Sequence, residues 1–417
     1  MKFKQRIYLF LSLLVWAYSQ ILVAGEVEVL HWWTSGGEAR SLDVLKQKMV
    51  EQGHSWKDFA VVGGSGDKAM AVLKSRALSG FPPTATQIKG KHIQEWGKLG
   101  LLTNLDKIAA EQNWIEILHD FVNDTMKYDG HYVAVPVNIH RANWLWVNPE
   151  LFKQAGVSIP TTLKEFWLAA DKLKKVGIIP IAHGDQAWQN STVFEMLLLG
   201  MTSVEFYKKA FVELDKESLS SEKIIDVFVA FRKLKNYMDE NIADRDWNTA
   251  TSMVINGKAA MQIMGDWAKG EFIAEEKQLG KDFLCIPMPS TSKTFSYVID
   301  SFIMFEISDT DNKKAQASLV KNILDKQFQK TFNMNKGSIP VRKDIDVDTF
   351  DLCAKASRST LVADSYANVL PSFSYGMATS IYTQDAIFDI VTDFFRNEKI
   401  TPKQAAEKLT RAIEDSF

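Results

Sequence analysis

Apolar positions switch between two periods along the first hundred residues. Val27, Val29 and the run from Leu30 to Trp33 form a strand-like stretch, and residues 36–52 then carry Leu42, Leu45 and Met49 at helical spacing until Gly53 stops them. Residues 59–63 predict a second strand, 67–79 a helix ended by Gly80, 84–88 a third strand and 92–99 a short helix. Such alternation predicts an α/β fold with a parallel sheet covered by helices on both faces, and ligands bind such sheets beyond the carboxyl ends of the strands. Trp32, Trp33, Gln87 and Lys89 all fall at or just after strand ends and so belong to one rim.

Residues 132–137 and 143–147 are again strand-like, with Pro136 as a point where the chain can leave the first lobe. A helix over 162–176, a strand over 178–182 and longer amphipathic helices from Val193 to about Asp239 follow. Residues 261–264 and 297–306 are apolar and strand-like, and 401–415 predict a terminal helix with Pro402 in its first turn. The chain is long enough for two cores, and no Pro/Gly/Ser linker divides it. Two discontinuous lobes sharing hinge crossings around a central cleft are therefore expected. Residues 26–136 with about 300–343 would form the first, and 137–299 with about 344–417 the second.

The amino terminus sets the compartment. Lys2, Lys4 and Arg6 precede an apolar run over 7–17, and Val23-Ala24-Gly25 offers a small-residue cleavage site, so residues 1–25 read as a cleaved secretory signal peptide. The run is shorter than the ~20 residues of a membrane span. Its removal moves the formal charge from -2 to -5. A mildly acidic chain without a basic block argues against nucleic acid as a partner. Cys285 and Cys353 are the only cysteines, and an even count in an oxidising compartment predicts one disulfide between them.

Candidate chemistry begins at His31-Trp32-Trp33-Thr34-Ser35-Gly36-Gly37-Glu38, which brings two flat aromatic faces and a carboxylate to a helix start. A pyranose needs flat rings for its C–H faces and charged groups for its hydroxyl rim. Residues 63–68 are Gly-rich but lack the Lys-Ser/Thr ending of a phosphate loop, and Asp67 replaces the last glycine of a nucleophile elbow, which leaves Ser65 as a turn residue. The seven histidines show no zinc-binding spacing. Glu38, Asp266 and Asp300 could supply the carboxylate pair of an exported glycoside hydrolase, but accepting from sugar hydroxyls is the less demanding role because it needs no shifted pKa.

Several blocks then occur in one order: His31 to Glu38, Gln87-Ile88-Lys89-Gly90, Val135-Pro136-Val137-Asn138-Ile139-His140-Arg141, Ala182-His183-Gly184, Met264-Gly265-Asp266-Trp267-Ala268-Lys269, and Asn335-Lys336-Gly337-Ser338-Ile339-Pro340. With them the chain resembles the extracellular solute-binding proteins of sugar-transporting ABC systems, and within these the bacterial periplasmic glucose-binding proteins. The resemblance implies a two-lobed periplasmic binding protein fold that closes on one sugar and delivers it to an inner-membrane ABC permease. It implies a monomer with no cofactor, no metal and no catalytic residue. Trp32, Trp33, Glu38, Gln87 and Lys89 match first-lobe ligand positions, Trp247 and Trp267 second-lobe aromatic positions, and Asp300 and Lys336 hydroxyl-binding positions near the hinge. His140 and Tyr375 stand between binding and structural roles, and His183 leans to structure. Two positions depart from the pattern: Val298 stands where an asparagine is expected and Tyr375 where a histidine is expected. A binding protein for a nonsugar polar solute is the remaining alternative.

Overall fold

A computed structural model describes residues 25–416, so the expected signal peptide lies outside the described residues except for Gly25. Among the described residues no helix is long and apolar enough to cross a membrane. The strands in chain order are β1 (Glu26–His31), β2 (Ser55–Ala60), β3 (Ala85–Lys89), a small hairpin of β4 (Lys127–Tyr128) and β5 (His131–Tyr132), β6 (Ala134–Arg141) and β7 (Trp144–Val147). They continue with β8 (Ile179–Ile181), β9 (Ala259–Ile263), β10 (Leu284–Pro287), β11 (Phe295–Met304), β12 (Ile339–Pro340) and β13 (Val369–Pro371).

One sheet has the order β12-β6-β11-β3-β1-β2, with β13 also paired to β11; a second has the order β10-β7-β9-β8. The β1, β2 and β3 core of the first sheet is parallel, as the alternation predicts. However, β11 runs antiparallel to both β3 and β6. It arrives from the second sheet instead of through a local crossover helix, so nothing forces it to run parallel.

The strand expected to end at Pro136 continues to Arg141, and the chain changes sheets over Ala142 and Asn143. Proline lacks the ladder N–H and is tolerated inside a sheet at a bulge. Here the register between β6 and β11 jumps from Asn138/Asp300 to Pro136/Ser301, leaving Val137 out. The Val137 carbonyl is taken up by Gln329 Nε2 at 2.7 Å. The second strand also lies earlier than expected, at Ser55–Ala60, because it is an edge strand with no fully buried position and carries little apolar signal. Likewise, the helix expected from Val193 begins at Ala187 as Ala187–Met201; its first turns are polar but buried.

A polar core joins the crossings. Arg141 is fully buried, and its guanidinium donates to the Thr294 carbonyl at 2.8 Å and to Asn143 Oδ1 at 3.2 Å, while Asn143 Nδ2 donates to Thr291 Oγ1 and the Thr294 carbonyl, each at 2.9 Å. Residues on the first crossing thereby grip the second. Glu195, wholly buried on helix Ala187–Met201, accepts from Ser296 Oγ (2.8 Å), Ser372 Oγ (2.7 Å), the Ser374 N–H (3.0 Å) and Tyr207 Oη (3.0 Å). It ties that helix to β11 and to the segment after β13. Burial pushes the Glu195 carboxyl up, and a buried carboxyl is tolerable only when its oxygens are satisfied in this way.

Cys285 on β10 and Cys353 in helix Leu352–Val362 are bridged, with Cα atoms 6.1 Å apart. The bridge closes a segment that contains β11 and β12. For a loop spanning 68 positions, lost chain entropy in the unfolded state is worth about 4 kcal/mol. A Cys285→Ser/Cys353→Ser variant is expected to lose up to that amount in urea unfolding of the oxidised protein. A stability equal to the wild type would show that the bridge adds nothing.

Candidate functional site

Both lobes contribute to one cavity of about 400 Å³. From the first lobe come Trp32, Trp33 and Glu38 after β1, Gly64 and Ser65 in the following glycine loop, Lys89 at the end of β3, and Lys336 at the end of helix Lys326–Lys336. The second lobe adds Trp188, Trp247 and Trp267. His140, Val298, Asp300 and Tyr375, from β6, β11 and the segment after β13, form the floor near the crossings.

Local hydrogen bonding explains why the tryptophans leave the sheet. The Trp32 N–H donates to Gln87 Oε1 at 3.1 Å instead of extending the ladder, so β1 stops at His31 and not at Trp33. Helix Gly36–Glu51 begins with Glu38 at its third position, where the carboxylate reaches back to the Ser35 N–H at 3.5 Å in a capping box. The other Glu38 oxygen accepts from Lys336 Nζ at 2.7 Å, and that ammonium also lies 5.6 Å from the Trp33 ring. Trp33 is largely a core residue, packed on Phe302 and Phe332 with centroids 5.7 and 5.3 Å away. Lys89 sits between two ring faces, 5.4 Å from Trp32 and 5.3 Å from Tyr375, and donates to Ser65 Oγ at 3.3 Å. Burial holds its pKa below the ordinary lysine value, against the opposing pull of Asp300.

At the floor His140 joins the lobes. Its Nδ1 is hydrogen-bonded to Asp266, which follows β9 of the second sheet, and its Nε2 lies 3.0 Å from Asp300 Oδ2 on β11. Two carboxylates require both ring nitrogens to donate, which makes the ring an imidazolium. The Asn138 amide nitrogen also lies 2.7 Å from Nε2 and donates to Ser338 Oγ at 3.0 Å. Burial opposes the charge, but Asp266 and Asp300 raise the His140 pKa above its usual value. Burial likewise pushes the Asp300 carboxyl up, yet His140, Lys336 and Lys89 bring it below its usual range. Asp300 Oδ1 accepts from Gln87 Nε2 at 3.3 Å.

Most of the residues singled out from the sequence thus meet around one cavity. Gln87 does not: it is fully buried behind the wall, holding Trp32 and Asp300 in position. His183 bonds Asn190 at 2.9 Å and packs on Phe395, away from the cavity. Tyr375 lines the cavity, but its hydroxyl is bonded to Thr192 Oγ1 at 2.7 Å, so the ring face is what it presents. Sequence reasoning missed Trp188 and dismissed Ser65. Trp188 is the second residue of helix Ala187–Met201 and lies well past the end of β8, so no strand-end signal marks it. A side chain on Gly64 would lie 2.4 Å from the Trp188 ring, so only glycine lets the first-lobe loop close over it. The same holds where helix Gly36–Glu51 meets the second lobe: a Cβ on Gly37 would lie 2.6 Å from the Gly270 backbone, and Glu271 accepts the Gly37 N–H at 3.0 Å.

Residues 48–329 match the bacterial extracellular solute-binding protein family, and the chain belongs to it. Among its relatives, a probable sugar-binding periplasmic protein of Rhizobium meliloti is 42% identical over 94% of both chains. The xylose/arabinose-binding protein of Haloferax volcanii is 25% identical over 94% of this chain and 85% of its own. A solved bacterial solute receptor, described as having an exclusive preference for β-D-galactopyranose, superposes with a TM-score of 0.79 at 17% identity over 94% of this chain and 98% of its own. These neighbours confirm the two-lobed α/β architecture.

A raised His140 pKa stabilises the fold fully below the unfolded value of about 6.5, and this contribution is lost as pH rises through the folded value. His92, His119 and His183, lowered to about 4, 3 and 4 by burial, act only on the acid side. Melting temperature is therefore expected to fall as pH rises above about 6.5, with the slope reduced in His140→Gln. An identical slope in the variant would refute the imidazolium assignment.

Proposed function

We propose that this protein is a non-catalytic receptor. It captures a hexose, glucose or a relative of it, between its lobes in the periplasm and delivers it as a monomer to an inner-membrane ABC permease. The observation that carries this reading is the cavity wall, which combines aromatic rings from both lobes with paired lysines and carboxylates. The same side chains surround the cavity from both lobes, which suits a single sugar ring. Trp32, Trp247, Trp267 and the Tyr375 ring cover the apolar faces of the sugar, with Trp33 and Trp188 behind them. Glu38 and Asp300 accept from its hydroxyls, while Lys89 and Lys336 donate. The lysine–glutamate pair and the two carboxylates around one imidazolium keep the local charge close to balanced, which suits a neutral solute.

Names of relatives support a sugar over another polar solute, since the matched proteins are called sugar-binding or xylose/arabinose-binding. They are also called binding proteins and not hydrolases. A glycosidase acid needs a raised pKa, whereas Asp300 is held low by His140. Incubation with disaccharides is expected to release no monosaccharide catalytically.

The direct test is thermal-shift screening and calorimetry against hexoses and their epimers. A sugar at 100 times its Kd should stabilise the protein by about 2.7 kcal/mol. Trp32→Ala and Trp267→Ala should weaken every bound sugar by ~1–3 kcal/mol, the scale of buried aromatic anchors. Val298 and Tyr375 set preference instead, because both line the cavity with no free polar group. Val298→Asn with Tyr375→His is expected to move the ranking toward glucose. A panel with no stabilising sugar would refute the function; an unchanged ranking would refute the role of these two positions.

A further inference from the structure

Two contacts join the lobes outside the cavity, and they follow one pattern. On one side Glu271, in helix Ala268–Ala274 after β9, accepts the Gly37 N–H at 3.0 Å in the first turn of helix Gly36–Glu51. On the other, Glu95, in helix His92–Gly97 after β3, accepts the Ile381 N–H at 2.9 Å, at the first residue of helix Ile381–Arg396. The latter helix packs on helices Ala187–Met201 and Pro402–Glu414, on the side of the second lobe. The lobes thus exchange roles, each giving one glutamate to a helix start of the other. The first N–H groups of a helix have no partner within it, and negative charge there is favourable.

Each glutamate stands beside a glycine-on-glycine contact. A Cβ on Gly37 would lie 2.6 Å from the Gly270 backbone, and one on Gly90 would lie 2.1 Å from the Gly376 carbonyl, which accepts the Lys91 N–H at 2.8 Å. These glycines are chain neighbours of the cavity wall: Gly37 adjoins Glu38, Gly90 adjoins Lys89, Gly376 adjoins Tyr375, and Gly270 follows closely on Trp267. A rigid movement that brings those four side chains onto a solute therefore brings the glutamates onto the helix starts.

We infer that Glu271 and Glu95 are reciprocal clasps that hold the lobes together over a bound solute, so that two residues outside the cavity set how long the solute stays. The inference rests on the receptor reading above and adds where the closed lobes are fastened. Both glutamates are only half-buried, so parting the lobes returns carboxylates and N–H groups to water and a clasp can be remade. A contact made only between closed lobes favours the closed state and slows release. It leaves the first encounter with the solute unchanged.

Stopped-flow tryptophan fluorescence and calorimetry with glucose, galactose and mannose test the proposal. For a hexose that binds the wild type, Glu271→Ala and Glu95→Ala should each raise koff and Kd by ~3–10-fold, the yield of one hydrogen bond. The double variant should show both losses, with kon within about two-fold of the wild type because the cavity wall is intact. Glu271→Gln/Glu95→Gln keeps an acceptor of the same size at each helix start, which guards against misfolding, and should move koff the same way by a smaller factor. A koff and Kd equal to the wild type, a change confined to kon, or a lower melting temperature with koff unchanged overturns the clasps and leaves the receptor intact. Failure of all three sugars to bind overturns the hexose reading. Small-angle scattering without ligand then decides the clasps: the Ala pair should have a larger radius of gyration than the wild type, and an equal radius overturns them.

Discussion

His140 lies between Asp266 of the second lobe and Asp300 of the first, with each ring nitrogen committed to a carboxylate. Removing any one of the three would strand charge in a region closed to water, a penalty of several kcal/mol for an unpaired buried ion. The triad therefore constrains more than itself. It fixes the carboxylate that faces the cavity, holds the loop that carries Trp267, whose ring stands edge-on to His140 at 5.1 Å, and links the two sheets near their first crossing. Asp266 also accepts the Arg141 N–H at 2.8 Å, so the tie reaches the residue whose guanidinium grips the second crossing.

A second consequence concerns the charge balance of the cavity. Charges line it, but they come as partners: Lys336 with Glu38, and His140 with two aspartates. Each carboxylate retains lone pairs after its protein partner is satisfied, so it can accept from a hydroxyl without giving up an ion pair. Lys89 is the exception. It is held by ring faces and one hydroxyl, and its lowered pKa records the burial. A sugar oxygen would complete its coordination in a way that a second protein carboxylate does not.

The lobes meet through small residues. Gly37 meets Gly270, and Gly64 meets Trp188, at distances that leave no room for a methyl group. The lobes therefore touch through backbone and ring surfaces. The Arg141 and Glu195 networks and the Cys285–Cys353 bridge, by contrast, hold the crossings together.

Local pattern determined a good deal. The β/α alternation, the helix starting at Gly36, the disulfide pair and the rim position of Trp32, Trp33 and Lys89 were all legible, because period, capping and strand ends are properties of short segments. Pattern failed where burial did not follow periodicity, as at the exposed edge strand Ser55–Ala60 and the buried polar turns that begin at Ala187. It could not tell that Gln87 stands behind the wall while Trp188 stands in it, or that the Tyr375 hydroxyl is taken by Thr192. Only the tertiary structure decided that His140 meets partners 126 and 160 positions away. Those contacts depend on how strands from two sheets come into register across the hinge, and no local hydrogen bond or apolar period encodes that distance.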